Sequence, residues 1–170
     1  MKLRTASIIS ALLIILVAVS GCGGKKPEAQ YPAVPESGTI ETADSFLNSY
    51  QGWTSRLEKL GGQTQQAYMD WESNKIDTET YIVKSRDIYE AIKKLNDEAD
   101  LKADIKLSDG DKQKVKHDEV TSAYNKASKG LNDYLYQLPH IPDDQIKVKY
   151  KAMIEKYNSD MTQLKKSLNM

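Results

Sequence analysis

Between residues 41 and 170 the apolar side chains return at alternating spacings of three and four, over stretch after stretch. That period places them on one stripe of an α-helix, and it cannot line one face of a β-strand, whose side chains alternate every second residue. In the first stretch Ala43, Phe46, Tyr50, Trp53, Leu57, Leu60, Thr64, Ala67 and Trp71 form such a seam over four heptads. Thr39 or Thr42 can cap its start. The second stretch begins at Asp77 or Thr78, both good caps, and carries Tyr81, Ser85, Ile88, Ile92, Leu95 and Ala99, widened by Ile82 and Tyr89. The third follows Ser108 and the acids Asp109 and Asp111, which suit the positive end of a helix, and holds Val120, Tyr124, Ala127, Leu131, Tyr134 and Leu138. Pro139 and Pro142 stop it, and Asp143 offers a start for the fourth. The fourth seam is Ile146, Tyr150, Ile154, Tyr157, Met161, Leu164 and Leu168. Four helices, each with one apolar stripe, can bury those stripes only against one another. The expected fold is therefore all-α, an antiparallel four-helix bundle, with a three-helix variant as the structural alternative.

Two places disturb the rhythm. Gly61 and Gly62 interrupt the first seam, each at a cost of about 1 kcal/mol relative to alanine. A kink, a break or a close helix crossing is expected there. Leu101, Ala103, Ile105 and Leu107 alternate like a strand, yet a lone strand has no partner. This stretch reads as a connection whose apolar residues dock on the bundle, or as an extension of the second helix.

The first forty residues follow different rules. Lys2 and Arg4 precede an apolar run, residues 6–19, broken only by Ser7 and Ser10. That is the pattern of a secretory signal, and the run falls short of the roughly 20 residues of a membrane span unless it is stretched to Gly24. It ends at Val19-Ser20-Gly21-Cys22, with the only cysteine of the chain in last place. These four residues resemble the lipobox of bacterial lipoproteins: an aliphatic residue, two small ones and cysteine. The resemblance covers residues 1–24 and implies that Cys22 becomes the first residue of the mature chain and carries a thioether-linked diacylglycerol. Two acyl chains, at about 0.8 kcal/mol per buried CH₂, hold a protein on a membrane almost permanently. Residues 23–39 contain Pro27, Pro32 and Pro35 and no apolar period. They read as a flexible linker that spans at most ~55 Å. The expected organisation is a signal over residues 1–21, a lipidated cysteine and linker over 22–40, and a helical domain over 41–170.

Charge excludes one class of partner. Loss of residues 1–21 leaves 22 basic against 24 acidic residues, a net of −2 with both histidines neutral, which does not suit a nucleic-acid binder. The charges are unevenly spread. The last helix is rich in lysine (Lys147, Lys149, Lys151, Lys156, Lys165, Lys166), the first in acids (Glu41, Asp44, Glu58, Asp70, Glu72). Antiparallel neighbours of this kind attract weakly, and the lysine face could also meet anionic lipid or wall polymer.

A search for chemistry finds no assembled set. A di-iron bundle needs Glu-x-x-His pairs, and neither His117 nor His140 has a glutamate three residues earlier. His117 reads as a solvated residue and His140 as part of a turn. Asp109-Gly110-Asp111 hints at a calcium loop, but with Gly110 in sixth place the ligand positions fall on Ile105, Leu107 and Lys116. Glu72-Ser73 resembles the glutamate–serine pair of lytic transglycosylases without that family's glycine-rich and aromatic-rich motifs, and reads as an ordinary helix end. No catalytic residue, metal ligand or cofactor is expected.

The aromatic residues stand out: ten tyrosines and two tryptophans against one phenylalanine. Tyr50, Tyr81, Tyr124, Tyr134, Tyr150 and Tyr157 lie on the seams with Trp53 and Trp71, while Tyr31 and Tyr136 lie off them. Tyrosine in a seam packs its ring inward and keeps its hydroxyl at the wet margin. The expectation is an extracytoplasmic, membrane-anchored, non-enzymatic lipoprotein whose bundle binds another envelope component, protein or wall polymer. The alternative is a small-ligand binder with an aromatic-lined pocket, and a wall hydrolase is a third reading.

Overall fold

The computed structural model describes residues 39–102 and 106–170, the side chains of 101 and 102 aside. The signal, Cys22, Tyr31 and the prolines of the linker lie outside the described residues, as do Ala103 and Ile105. Five α-helices follow in order: α1 (Ala43–Glu72), α2 (Thr78–Lys102), α3 (Asp109–Lys114), α4 (His117–Gln137) and α5 (Asp143–Ser167). A single 3₁₀ turn, Leu138–His140, joins α4 to α5. The all-α bundle expected from the seams is the fold, with α3 as a short fifth helix.

Local chemistry explains where the helices begin. Thr42 heads a reciprocal cap: its hydroxyl accepts from the Ser45 N–H, and the Ser45 hydroxyl accepts from the Thr42 N–H, both at 3.1 Å. The Asp77 carboxylate accepts from the Thr80 N–H at 2.8 Å at the head of α2. Ser108 caps α3 in the same way, accepting from the Asp111 N–H at 3.1 Å. At α5 the cap is Pro142 rather than Asp143, which is the first helical residue.

The third stretch of seam is not one helix. Val115 and Lys116 separate α3 from α4, and Lys116 stands in the left-handed region at φ 52° and ψ 47°. Val115 is buried by this corner, so tertiary packing imposes a backbone that lysine disfavours by about 1–2 kcal/mol. Glycine meets no such penalty. Lys116→Gly is therefore expected to raise the stability by about 0.5–1 kcal/mol, read as a higher urea midpoint with unchanged m-value; a lower midpoint would show that the corner is unstrained.

α1, α2, α4 and α5 run up, down, up and down. Cross-links along their length fix the register. Arg56 of α1 grips both carboxylate oxygens of Glu98 of α2 at 2.9 Å. Asn96 of α2 accepts from the Ser128 hydroxyl of α4 at 2.6 Å. Glu58 and Glu72 of α1 pair with Lys165 and Lys147 of α5 at 2.9 and 2.7 Å. These last two pairs realise the attraction expected between the acidic first helix and the lysine-rich last one. α1 and α4 face each other across the core, where the Tyr50 hydroxyl meets Thr121 at 3.3 Å. Residue 39 therefore stands at the end of the bundle where α1 and α4 start, the end that the expected tether would join.

Gly61 and Gly62 neither break α1 nor act alike. The helix is continuous across both. Gly61 is buried beneath α5, where a Cβ would stand 2.5 Å from Cε1 and Cζ of Tyr157. A Cβ on Gly62 would meet nothing within 4 Å. The close crossing is the feature the glycine pair serves, and Gly61 alone serves it. Through this gap the Tyr157 hydroxyl donates to the Leu57 carbonyl at 2.9 Å.

The stretch after α2 also has a partner. The Lys106 N–H donates to the Ile40 carbonyl at 2.9 Å, and Leu107 and Ile40 are both buried. A single bridge thus seals the entry of the chain to the bundle floor.

Candidate functional site

The seam aromatics form the bundle's interior. Tyr50, Tyr81, Tyr124, Tyr134, Tyr150, Tyr157 and Trp53 are all buried, and Trp71 is half-buried. Tyr68, one residue beyond the seam followed in the sequence, is buried too. Its signal was present, since Thr64 has inward-facing neighbours at both the third and the fourth following residue.

The rings fall into two groups. Near the tether end, Phe46, Tyr50, Trp53 and Tyr124 pack with centroids 4.5–6.3 Å apart. Near the far end, Tyr68 stacks on Tyr150 at 3.6 Å with planes 6° apart, and Trp71 stacks on Tyr81 at 5.5 Å. Tyr81 and Tyr134 share a buried hydrogen bond of 2.9 Å. Here rings fill the space between rings, so their area serves the core.

Burial governs their acidity. Removal from water raises Tyr68, Tyr134 and Tyr150 to about 12. The same desolvation pushes Tyr50, Tyr81, Tyr124 and Tyr157 above the ordinary phenol value. These groups are neutral at every physiological pH.

The other residues singled out in the sequence are placed apart from one another. Glu72 is exposed, and the Lys147 ammonium 2.7 Å away holds its carboxyl below the usual range. A general acid requires the opposite shift. Ser73 beside it donates to the Met69 carbonyl at 2.7 Å and closes the helix. Asp111 accepts from Ser108 at 2.8 Å as part of the cap, and among the described residues no group of three metal-ligating side chains comes together. His140 is exposed in the 3₁₀ turn. His117 is not the freely solvated residue expected: its ring lies 5.3 Å from that of Phe46, and its Nδ1 is 2.8 Å from an Asp118 carboxylate oxygen. The pattern hid this because Phe46 is seventy residues away in the chain.

Two surface features remain. One is a polar cleft of about 310 Å³ between α2 and α4, bordered by Asn96, Asp100, Tyr124 and Asn132. The other is a set of exposed large apolar side chains, Met69 at 51%, Val83 at 52%, Tyr136 at 63% and Val148 at 69%, besides Met170 at 46% past the opposite end of α5. Met69 and Tyr136 belong to the last turn of α1 and α4, and Val83 and Val148 to the second turn of α2 and α5. All four therefore lie in the half of the bundle remote from residue 39. Tyr136 also meets Tyr89 of α2, with ring centroids 5.9 Å apart. Of the four, only Tyr136 stands out in the sequence, as an aromatic off the seams.

No family model, curated protein or solved structure matches this chain. Among the described residues no helix is long and apolar enough to cross a membrane.

Proposed function

We propose that this protein is a lipid-anchored extracytoplasmic lipoprotein, held on the membrane by Cys22, that presents the far end of its bundle to another envelope component. One observation carries the docking half of this reading: of the five exposed large apolar side chains among the described residues, four, one from each long helix, lie in the half of the bundle opposite the tether. An anchor at one end and a sticky surface at the other, separated by a helix of about 45 Å, suit a protein that reaches outward from a membrane. The interior aromatics support a binding role for the outer surface, since they are engaged with one another. The Glu72 carboxyl, held below the usual range by Lys147, does not suit the general acid of a wall hydrolase. The anchor half rests on Val19-Ser20-Gly21-Cys22 and the signal before it.

Each half has its own test. Cys22→Ser is expected to leave the chain unprocessed or shed into the medium; a variant processed and membrane-bound like the parent would end the anchor reading. A photo-crosslinking residue at position 136 or 148 is expected to trap an envelope protein or wall fragment in intact cells. The same residue at position 126, midway along α4, serves as the comparison. Equal or greater capture from position 126 would end the docking reading.

A further inference from the structure

Residues 106–116 are held to the bundle differently from the four long helices. α3, at their centre, buries none of its six residues, whereas α4 buries eight. The segment is fastened at its two ends, by the buried side chains of Leu107 and Val115. The N–H groups of Asp111, Lys112, Val115 and Lys116 donate to Ser108, Asp111 and Gln113, all within the segment. The Lys106 N–H crosses instead to the Ile40 carbonyl at 2.9 Å, at the entry of the chain. Ile40 is itself buried, so entry and segment are fastened to each other.

Such a segment gives up little by leaving. Opening exposes Ile40, Leu107 and Val115 and breaks the Lys106 bond, while the bonds inside the segment can travel with it. Local stability follows buried apolar contact, so a weakly held unit sits on a strongly held one. The closed form also carries a cost where the segment joins α4, because Lys116 stands in the left-handed region at φ 52° and ψ 47°. Opening lets Lys116 return to a backbone that lysine prefers. The Lys116–Glu119 ion pair, 3.8 Å long between two exposed side chains, does little to oppose this.

We infer that residues 106–116 form a strap that swings about Lys116, opens as one unit while α1, α2, α4 and α5 stay packed, and releases Ile40 as it opens. In a chain held by Cys22, a consequence that rests on the anchor reading above, a pull reaches Ile40 first and the strap yields before the long helices.

The test is amide hydrogen exchange, followed by NMR on the full chain in zwitterionic detergent micelles at rising sub-denaturing urea. The amides of Lys106, Lys112 and Val115 are expected to be protected, yet to open at least about a hundredfold more often than those of Leu57 and Leu131, with a much smaller dependence on urea. Ile40→Ala is expected to speed exchange at Lys112 and Val115, more than seventy residues along the chain, at least about tenfold. Lys116→Gly, which removes the strain of the closed form, is expected to slow the same amides about two- to fivefold. Strap amides that share the opening frequency and urea slope of Leu131 would show that the segment leaves only when the whole bundle unfolds. Strap amides without protection would show that it is not closed at all. Either result overturns the inference, as would exchange unchanged in Ile40→Ala or faster in Lys116→Gly. A failed anchor shows in Cys22→Ser and leaves these rates untouched, so the two readings fail separately.

Discussion

Gly61→Ala is expected to destabilise the bundle by roughly 1–3 kcal/mol, and Gly62→Ala, one residue along, to stabilise it by about 0.5–1 kcal/mol. Both changes relieve the entropic cost of a helical glycine equally. The difference lies in what the new methyl meets. At Gly61 it would stand 2.5 Å from two ring atoms of Tyr157, well inside van der Waals contact. The tyrosine is buried and its hydroxyl is fixed on the Leu57 carbonyl at 2.9 Å, so the ring cannot swing aside without losing that bond. Either α5 moves away from α1 or the ring changes rotamer, and packing suffers in both cases. At Gly62 the methyl enters solvent. Thermal midpoints should separate in opposite directions from the parent, by several degrees each way. Tyr157→Leu, which removes the ring tip, should make Gly61→Ala less costly than in the parent, giving a coupling energy in the double-mutant cycle. Two midpoints that both rise would show that the helices do not approach closely at Gly61.

This pair of glycines also marks what the sequence conveys and what it withholds. The seams were legible because a helix must bury one stripe, and the stripe leaves its period in the chain whatever it packs against. Thr42, Asp77 and Ser108 were legible as caps because their chemistry is complete within three residues. Which glycine lies under a tyrosine 96 residues later depends on how two helices cross, and no local period records that. The break at Lys116 was hidden for the same reason. Nothing in Val115-Lys116 demands a left-handed residue; burial of Val115 under the bundle does.

The surface was less legible than the core. Opposite charges on α1 and α5 could be read, and two of the pairs form. The amides of the α2–α4 cleft could not, since Asn96, Asn125 and Asn132 sit on outer helical faces and look like ordinary solvated positions. Only the placing of α2 beside α4 makes a common wall of them. The same holds for the far end, where only the up-and-down topology brings one exposed apolar residue from each long helix into the same half of the bundle.

Alkaline pH is expected to unfold the protein cooperatively between about pH 10 and pH 12. Tyr50, Tyr68, Tyr81, Tyr124, Tyr134, Tyr150 and Tyr157 are all buried. Desolvation raises each of them, Tyr68, Tyr134 and Tyr150 to about 12. The sign follows from the preferred proton state. The folded protein keeps these phenols neutral, while the unfolded chain releases their protons near the ordinary phenol value of about 10. Stability is therefore intact below pH 10 and falls as pH rises toward the folded values. Each tyrosine that stays protonated only in the folded state contributes a slope of about −1.4 kcal/mol per pH unit. Three or four such groups acting together remove some 4–6 kcal/mol in one unit, comparable to the whole stability of a small domain. Tyrosinate absorbance and far-UV circular dichroism, followed on one sample, should show a single steep step in which ionisation and loss of helix coincide. A smooth titration of all ten tyrosines around pH 10 with the helix content intact would mean that water already reaches the seam, and the ring-on-ring interior described above would be wrong.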